Sequence, residues 1–69
     1  MSERTFTAVI VKEDAFFVAE CPEVGTVSQG ETLDAALSNL KEATELYLEE
    51  FVGPVKDHPV LTSFEAKVG

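Results

Sequence analysis

The chain has 69 residues, 45% of them hydrophobic, and a formal net charge of −8 from thirteen acidic and five basic side chains. That charge argues against a nucleic-acid or anionic-membrane surface, since both need Lys and Arg to meet phosphates, and the apolar content excludes a disordered acidic tail. One cysteine and one histidine allow neither an internal disulfide nor a closed zinc site, so no metal or cofactor is expected.

Thr5–Lys12, T-F-T-A-V-I-V-K, is rich in β-branched and aromatic residues, lacks glycine and proline, and reads as a first strand. Glu13-Asp14-Ala15 is a short polar break, and Phe16–Cys21 resumes as a second strand. So short a gap makes the two an antiparallel hairpin, although the turn lacks glycine. Pro22 ends the second strand, Pro22-Glu23-Val24-Gly25 is a turn, and Thr26–Gln29 is a brief third strand stopped by Gly30.

A long helix follows. Leu33, Ala36, Leu37, Leu40, Ala43, Thr44, Tyr47, Leu48 and Phe51 form one stripe at helical spacing. Thr32 is the expected N-cap, with Asp34 in the first turn where the helix dipole favours an anion. Ala35 stands where a capping box would place an acid, so the box is incomplete. Gly53-Pro54 stops the helix, and a loop through Asp57-His58-Pro59 leads to Ser63–Val68, whose alternation reads as a fourth strand. The expected fold is α+β, two layers in the order β-β-β-α-β, forming a single domain over residues 1–69.

Both faces of the first hairpin carry apolar groups. Phe6, Ala8 and Ile10 oppose Val9 and Val11, while Phe16 and Val18 oppose Phe17, Ala19 and Cys21. One helix covers one face only, so a partner chain is expected on the other. A chain of this length buries only about 60% of the surface its unfolded form exposes. Self-association is the remaining source of stability, and a homo-oligomer, dimer or larger, is expected.

Cys21 lacks the second thiol or nearby base that redox chemistry needs, and reads as a small buried side chain. His58 reads as a solvated loop histidine, with no nucleophile elbow in the sequence to partner it. Gly25, Gly30 and Gly53 are turn glycines, because no Gly-Lys-Ser/Thr follows to make a phosphate loop. A metal-dependent nuclease would need an acid inside the first strand. Thr5–Val11 has none and Glu20 has no evident companion, so no catalytic residue is expected. The helical stretch Glu31–Phe51 holds six acids and one base, Lys41. Asp34, Glu42, Glu45 and Glu49 project from its back, where Glu45 and Glu49 repel at i,i+4 and Glu49 and Glu50 oppose the dipole. Such a face serves solubility or meets a basic protein partner.

The stretch from Phe16 to Glu50 resembles the N-terminal domain of HicB-type antitoxins. The resemblance is carried by Ala19-Glu20-Cys21-Pro22-Glu23, by Ser28-Gln29-Gly30-Glu31-Thr32-Leu33, and by Leu40-Lys41-Glu42-Ala43 running on to Tyr47-Leu48. It implies a partial ribonuclease-H-like fold, with three antiparallel strands, a helix, and a fourth strand beside the first. It also implies a non-enzymatic, oligomeric protein that binds a small basic mRNA-cleaving toxin and blocks its active site. The turn Glu13-Asp14-Ala15 lacks the glycines often found in the family, and Pro22-Glu23-Val24-Gly25 is one residue shorter. Many HicB antitoxins continue into a DNA-binding domain, whereas this sequence ends at Gly69, so direct DNA binding is not expected.

The function expected from the sequence is therefore that of a HicB-like antitoxin, acting by protein–protein contact through Asp34, Glu42, Glu45 and Glu49. The alternative is a solitary oligomeric interaction or ligand-binding module with no toxin partner. No apolar run approaches the ~20 residues of a membrane span, and Met1-Ser2-Glu3-Arg4 does not read as a leader. A cytoplasmic location is expected.

Overall fold

Residues 3–51 and 53–69 are described by a computed structural model. Three strands, β1 (Val9–Glu13), β2 (Phe16–Cys21) and β3 (Thr26–Gly30), form an antiparallel sheet in the order β1-β2-β3, and one helix, α1 (Leu33–Glu50), lies on one of its faces. The α+β class and the first four elements match the expected order.

The two turns explain why the strands meet in register. Asp14 adopts φ 52°, which its short polar side chain tolerates better than most residues do, so the β1–β2 loop closes without glycine. Ile10 then faces Ala19, and Lys12 faces Phe17. At the β2–β3 turn, Gly25 takes φ 95° and its N–H donates to the Cys21 carbonyl at 2.7 Å. This sets Ala19 opposite Ser28 and Cys21 opposite Thr26.

β1 begins at Val9 and not at Thr5. Pairing with β2 reaches Glu20, the partner of Val9, and beyond Cys21 the chain turns at Pro22, which has no N–H to offer a ladder. The Thr7 N–H donates instead to the Glu23 carboxylate, at 3.1 and 3.0 Å to its two oxygens.

α1 starts as expected, with Thr32 Oγ1 accepting the Ala35 N–H at 3.0 Å. It ends at Phe51, whose extended backbone (φ −119°, ψ 120°) turns out of the helix while its N–H still reaches the Tyr47 carbonyl. The helix packs chiefly on β3 and secondarily on β2. Gly30 makes that approach feasible: a Cβ there would lie 2.5 Å from the Ala36 nitrogen and 2.8 Å from the Ala35 carbonyl carbon. Across the same seam Thr26 and the buried Thr44 share a 2.7 Å hydroxyl hydrogen bond, and Asn39 Nδ2 donates to the Gln29 carbonyl at 2.8 Å.

The buried apolar core is small. Ala19, Cys21, Ala36 and Leu40 are its fully covered members, with Phe6, Ala8, Ile10, Phe17 and Val24 packed around them. Two alanines at its centre let helix and sheet come close, and burial of Leu40 contributes about 1.5–3 kcal/mol. The core lies on the Phe17 side. Alternation therefore puts Phe16, Val18, Val9, Val11 and Val27 on the opposite face, where Val11 is 53% and Val27 57% exposed. No element of the described residues covers that face.

The fourth strand expected over Ser63–Val68 beside the first is not formed. Among the described residues the sheet has three strands, and Phe64 and Val68 are 88% and 100% exposed. The physical reason lies just upstream, where residues 56–58 are fastened to the β2–β3 turn and the chain beyond them leaves the body of the fold. The molecule is 48 Å long, whereas an 18-residue helix spans only about 27 Å.

Candidate functional site

The four carboxylates named from the sequence, Asp34, Glu42, Glu45 and Glu49, are all exposed on α1. At ~100° per residue they fall within one sector of the helix surface, turned away from Ala36, Leu40 and Thr44. Among the described residues none of the four is in a salt bridge; the one such contact joins His58 and Glu23. The last turn of α1 carries no basic residue, so the negative end of the helix dipole adds to the field of Glu49 and Glu50.

Glu23 is the feature that sequence reasoning missed. Read as a turn residue, it is 2% exposed, the largest fully buried side chain among the described residues. Its carboxylate accepts the Thr7 N–H, the Thr7 hydroxyl at 2.8 Å, His58 Nδ1 and, more weakly, the Cys21 thiol at 3.5 Å. Its backbone carbonyl also accepts the Lys56 N–H at 3.0 Å, and Arg4 donates to the Lys56 carbonyl at 3.1 Å. Desolvation pushes the Glu23 carboxyl up, but the hydrogen bonds from His58 and then Thr7 outweigh it and hold the group at about 2. No sequence signal marks this burial, because the groups that cover Glu23 are 16 and 35 residues away.

His58 is thereby corrected. Its ring is half exposed, but Nδ1 is committed to Glu23, so it is a clamp between the C-terminal segment and the turn and not a free loop histidine. Cys21 is buried as expected. Burial raises its thiol pKa, and the neighbouring Glu23 carboxylate adds to the effect, which leaves the sulfur a poor nucleophile. The thiol and the imidazole both address Glu23, which is not the nucleophile–base contact that covalent catalysis requires. Among the described residues no cluster of three or more His, Cys, Asp or Glu side chains is placed to hold a metal ion.

Beside this clamp lies an open groove of about 790 Å³ between the Thr5–Ala8 segment and α1. Phe6, Ala8 and Cys21 form one side, and Leu37, Lys41 and Leu48 the other. It exists because α1 sits over β3 and β2 and leaves the β1 side of the sheet uncovered. Arg4 lies at one margin, its guanidinium 5.2 Å from the centre of the Phe6 ring.

No family model matches the chain, and no solved structure matches it. It is 38% identical over 52 residues to the UPF0150 protein ssr1258 of Synechocystis sp., an alignment covering 72% of this chain and 75% of that protein. The chain belongs to the UPF0150 family. A second relative from the same organism, the UPF0150 protein ssr1765, is 41% identical over 49 residues, covering 68% of this chain and 62% of its own length. Neither relative's name states an activity, ligand or partner.

Among the described residues of this UPF0150 protein the surfaces open to contact include the acidic back of α1, the groove along Thr5–Ala8, whose lining Glu45 shares, the sheet face opposite the helix, and the exposed C-terminal segment. The first was legible as a charge pattern. The groove was not, since it depends on where along the sheet the helix settles. Among the described residues no helix is long and apolar enough to cross a membrane.

Proposed function

We propose that this UPF0150 protein is a HicB-like antitoxin-type binding protein, which captures a small basic mRNA-cleaving toxin and covers its active site. The observation that carries the reading is the one-sided, unpaired exposure of Asp34, Glu42, Glu45 and Glu49 on a rigid helix. A fixed array of like charges raises the encounter rate with a basic partner and selects against acidic ones. The family relationship and the HicB resemblance of Phe16–Glu50 support the same reading, as does the engagement of Cys21 and His58 with Glu23, which suits a non-enzymatic role. On this reading the protein is a cytoplasmic homo-oligomer with no cofactor and no direct contact with DNA or membrane.

The test is a binding titration against any small basic protein encoded next to this one. Replacing Glu42, Glu45 and Glu49 together with lysine is expected to weaken the complex by roughly 100-fold and to abolish its salt dependence. Unchanged affinity in that variant discards the acidic face as the docking surface.

A second reading, a solitary oligomeric interaction module with no toxin partner, is favoured by the uncovered Phe16 face and the exposed C-terminal segment. The absence of any small basic neighbour in the genome, together with self-association of the purified protein, would select it.

A further inference from the structure

The C-terminal segment and the groove along Thr5–Ala8 are complementary parts that a single chain leaves unused. From Val60 onward the chain makes no ladder, and Val60, Leu61, Phe64 and Val68 are 90%, 69%, 88% and 100% exposed. Water-exposed apolar groups at this density are costly. Their order is not random, for Phe64, Ala66 and Val68 alternate with Ser63, Glu65 and Lys67, the pattern of a strand with one dry face. β1 is an edge strand with neither proline nor bulge, paired with β2 alone, and so offers a free row of backbone donors and acceptors. The groove runs along the Thr5–Ala8 segment that leads into β1, where Phe6, Ala8, Leu37 and Leu48 give it an apolar lining, and the charged Glu3, Arg4, Lys41 and Glu45 belong to the same lining. A strand added along β1 and the Thr5–Ala8 segment that leads into it would place its dry face in that groove and its polar face toward water. β3, the other edge, is the strand on which α1 packs most closely, and Asn39 occupies its Gln29 carbonyl.

The connection decides which chain supplies the strand. Lys56 and His58 are tied to Glu23, and Pro59 follows at once, which biases His58 toward extended backbone. In the structure residues 60–69 are exposed and pair with no strand of their own sheet. A segment held clear of its own sheet is free to reach the β1 edge of a second copy.

We propose that residues 60–68 of each chain add as a strand to the β1 edge of a second copy, with Phe64, Ala66 and Val68 seated between Thr5–Ala8 and α1, in a reciprocal two-fold exchange. The proposal rests on the homo-oligomer part of the reading above and is independent of any toxin. Strand addition supplies main-chain hydrogen bonds, while the pockets for alternate side chains set the register. Exchange of an identical element between protomers closes into a dimer, leaving no free donor segment. Two exchanged segments with the surfaces they cover bury on the order of 2,000 Å², the upper end of a standard stable interface.

The test combines sedimentation equilibrium with isotope-filtered nuclear Overhauser spectroscopy on dimers mixed from labelled and unlabelled full-length chains. The expected result is a dimer in which the Phe64 ring of one chain contacts Leu37 and Leu48 methyls of the other. Phe64→Asp, at a position exposed in the single chain, is expected to raise the dimer dissociation constant by roughly 100-fold with an unchanged helical circular dichroism spectrum. A dimer that survives Phe64→Asp, or one whose Phe64 contacts arise within one chain, overturns the exchange and leaves the homo-oligomer reading standing. A monomer at all accessible concentrations overturns both.

Discussion

Replacing Gly30 with alanine tests how tightly the helix is held to the sheet. The new methyl would sit 2.5 Å from the Ala36 nitrogen, 2.8 Å from the Ala35 carbonyl carbon and 2.8 Å from the Ala35 Cβ. Ordinary contact needs about 3.5 Å or more, so the start of α1 must lift by most of an ångström. The obstacles are backbone atoms and a methyl group, none of which can rotate away. That lift would loosen Ala36 and Leu40, half of the fully buried apolar core. Overpacking of this kind costs about 1–3 kcal/mol, against which the lower chain entropy of alanine returns about 0.4–1 kcal/mol. The net loss, about 1–2 kcal/mol, lowers the melting temperature of a domain this small by roughly 5–15 °C. Thermal and urea unfolding followed by circular dichroism measure it. Gly53→Ala is the control, since nothing lies within 4 Å of a Cβ there, and it should be neutral or slightly stabilising. A Gly30→Ala protein as stable as the control would refute the close approach of α1 to β3.

Two further substitutions address the cap and the buried carboxylate. Thr32→Ala removes the acceptor for the Ala35 N–H and should cost about 1 kcal/mol in urea unfolding; a cost near zero would mean that water replaces the cap. Glu23 titrates at about 2 when folded against an ordinary 4.5, so the folded state binds its proton less readily than the unfolded chain. Its stabilisation is complete above pH 4.5 and is lost as the pH falls through 2. Glu23→Gln should therefore lower the melting temperature at pH 7 and flatten its decline between pH 4.5 and 2, and parallel pH profiles for variant and wild type would sink that assignment.

Much of the scaffold was legible because its causes are local. Thr32 as cap, Pro22 as the end of β2 and the apolar stripe of α1 each follow from chemistry within a turn or two of the residue concerned. The acidic sector is equally local, since helical periodicity alone groups Asp34 with Glu42, Glu45 and Glu49. Its role as a binding surface is a matter for the titration above. Glu23 was read only as part of a turn, because what buries it arrives from Thr7 and His58, at the far ends of the chain. The fourth strand, which is not formed, was expected for a related reason. Alternation at Ser63–Val68 states that the segment suits a sheet, but says nothing about which edge it can reach.

The sequence by itself determined that Phe16 and Phe17 face opposite ways, since a strand has period two whatever surrounds it. Only the tertiary structure decided that Phe17 lies on the helix side and Phe16, equally half-buried, on the face that no element covers. That choice follows from the small side chains of Ala19 and Cys21 on the Phe17 face and the bare backbone of Gly30 across from it. Together they let α1 sink onto that side, and a contact of this kind exists only once residues distant in the chain share one volume.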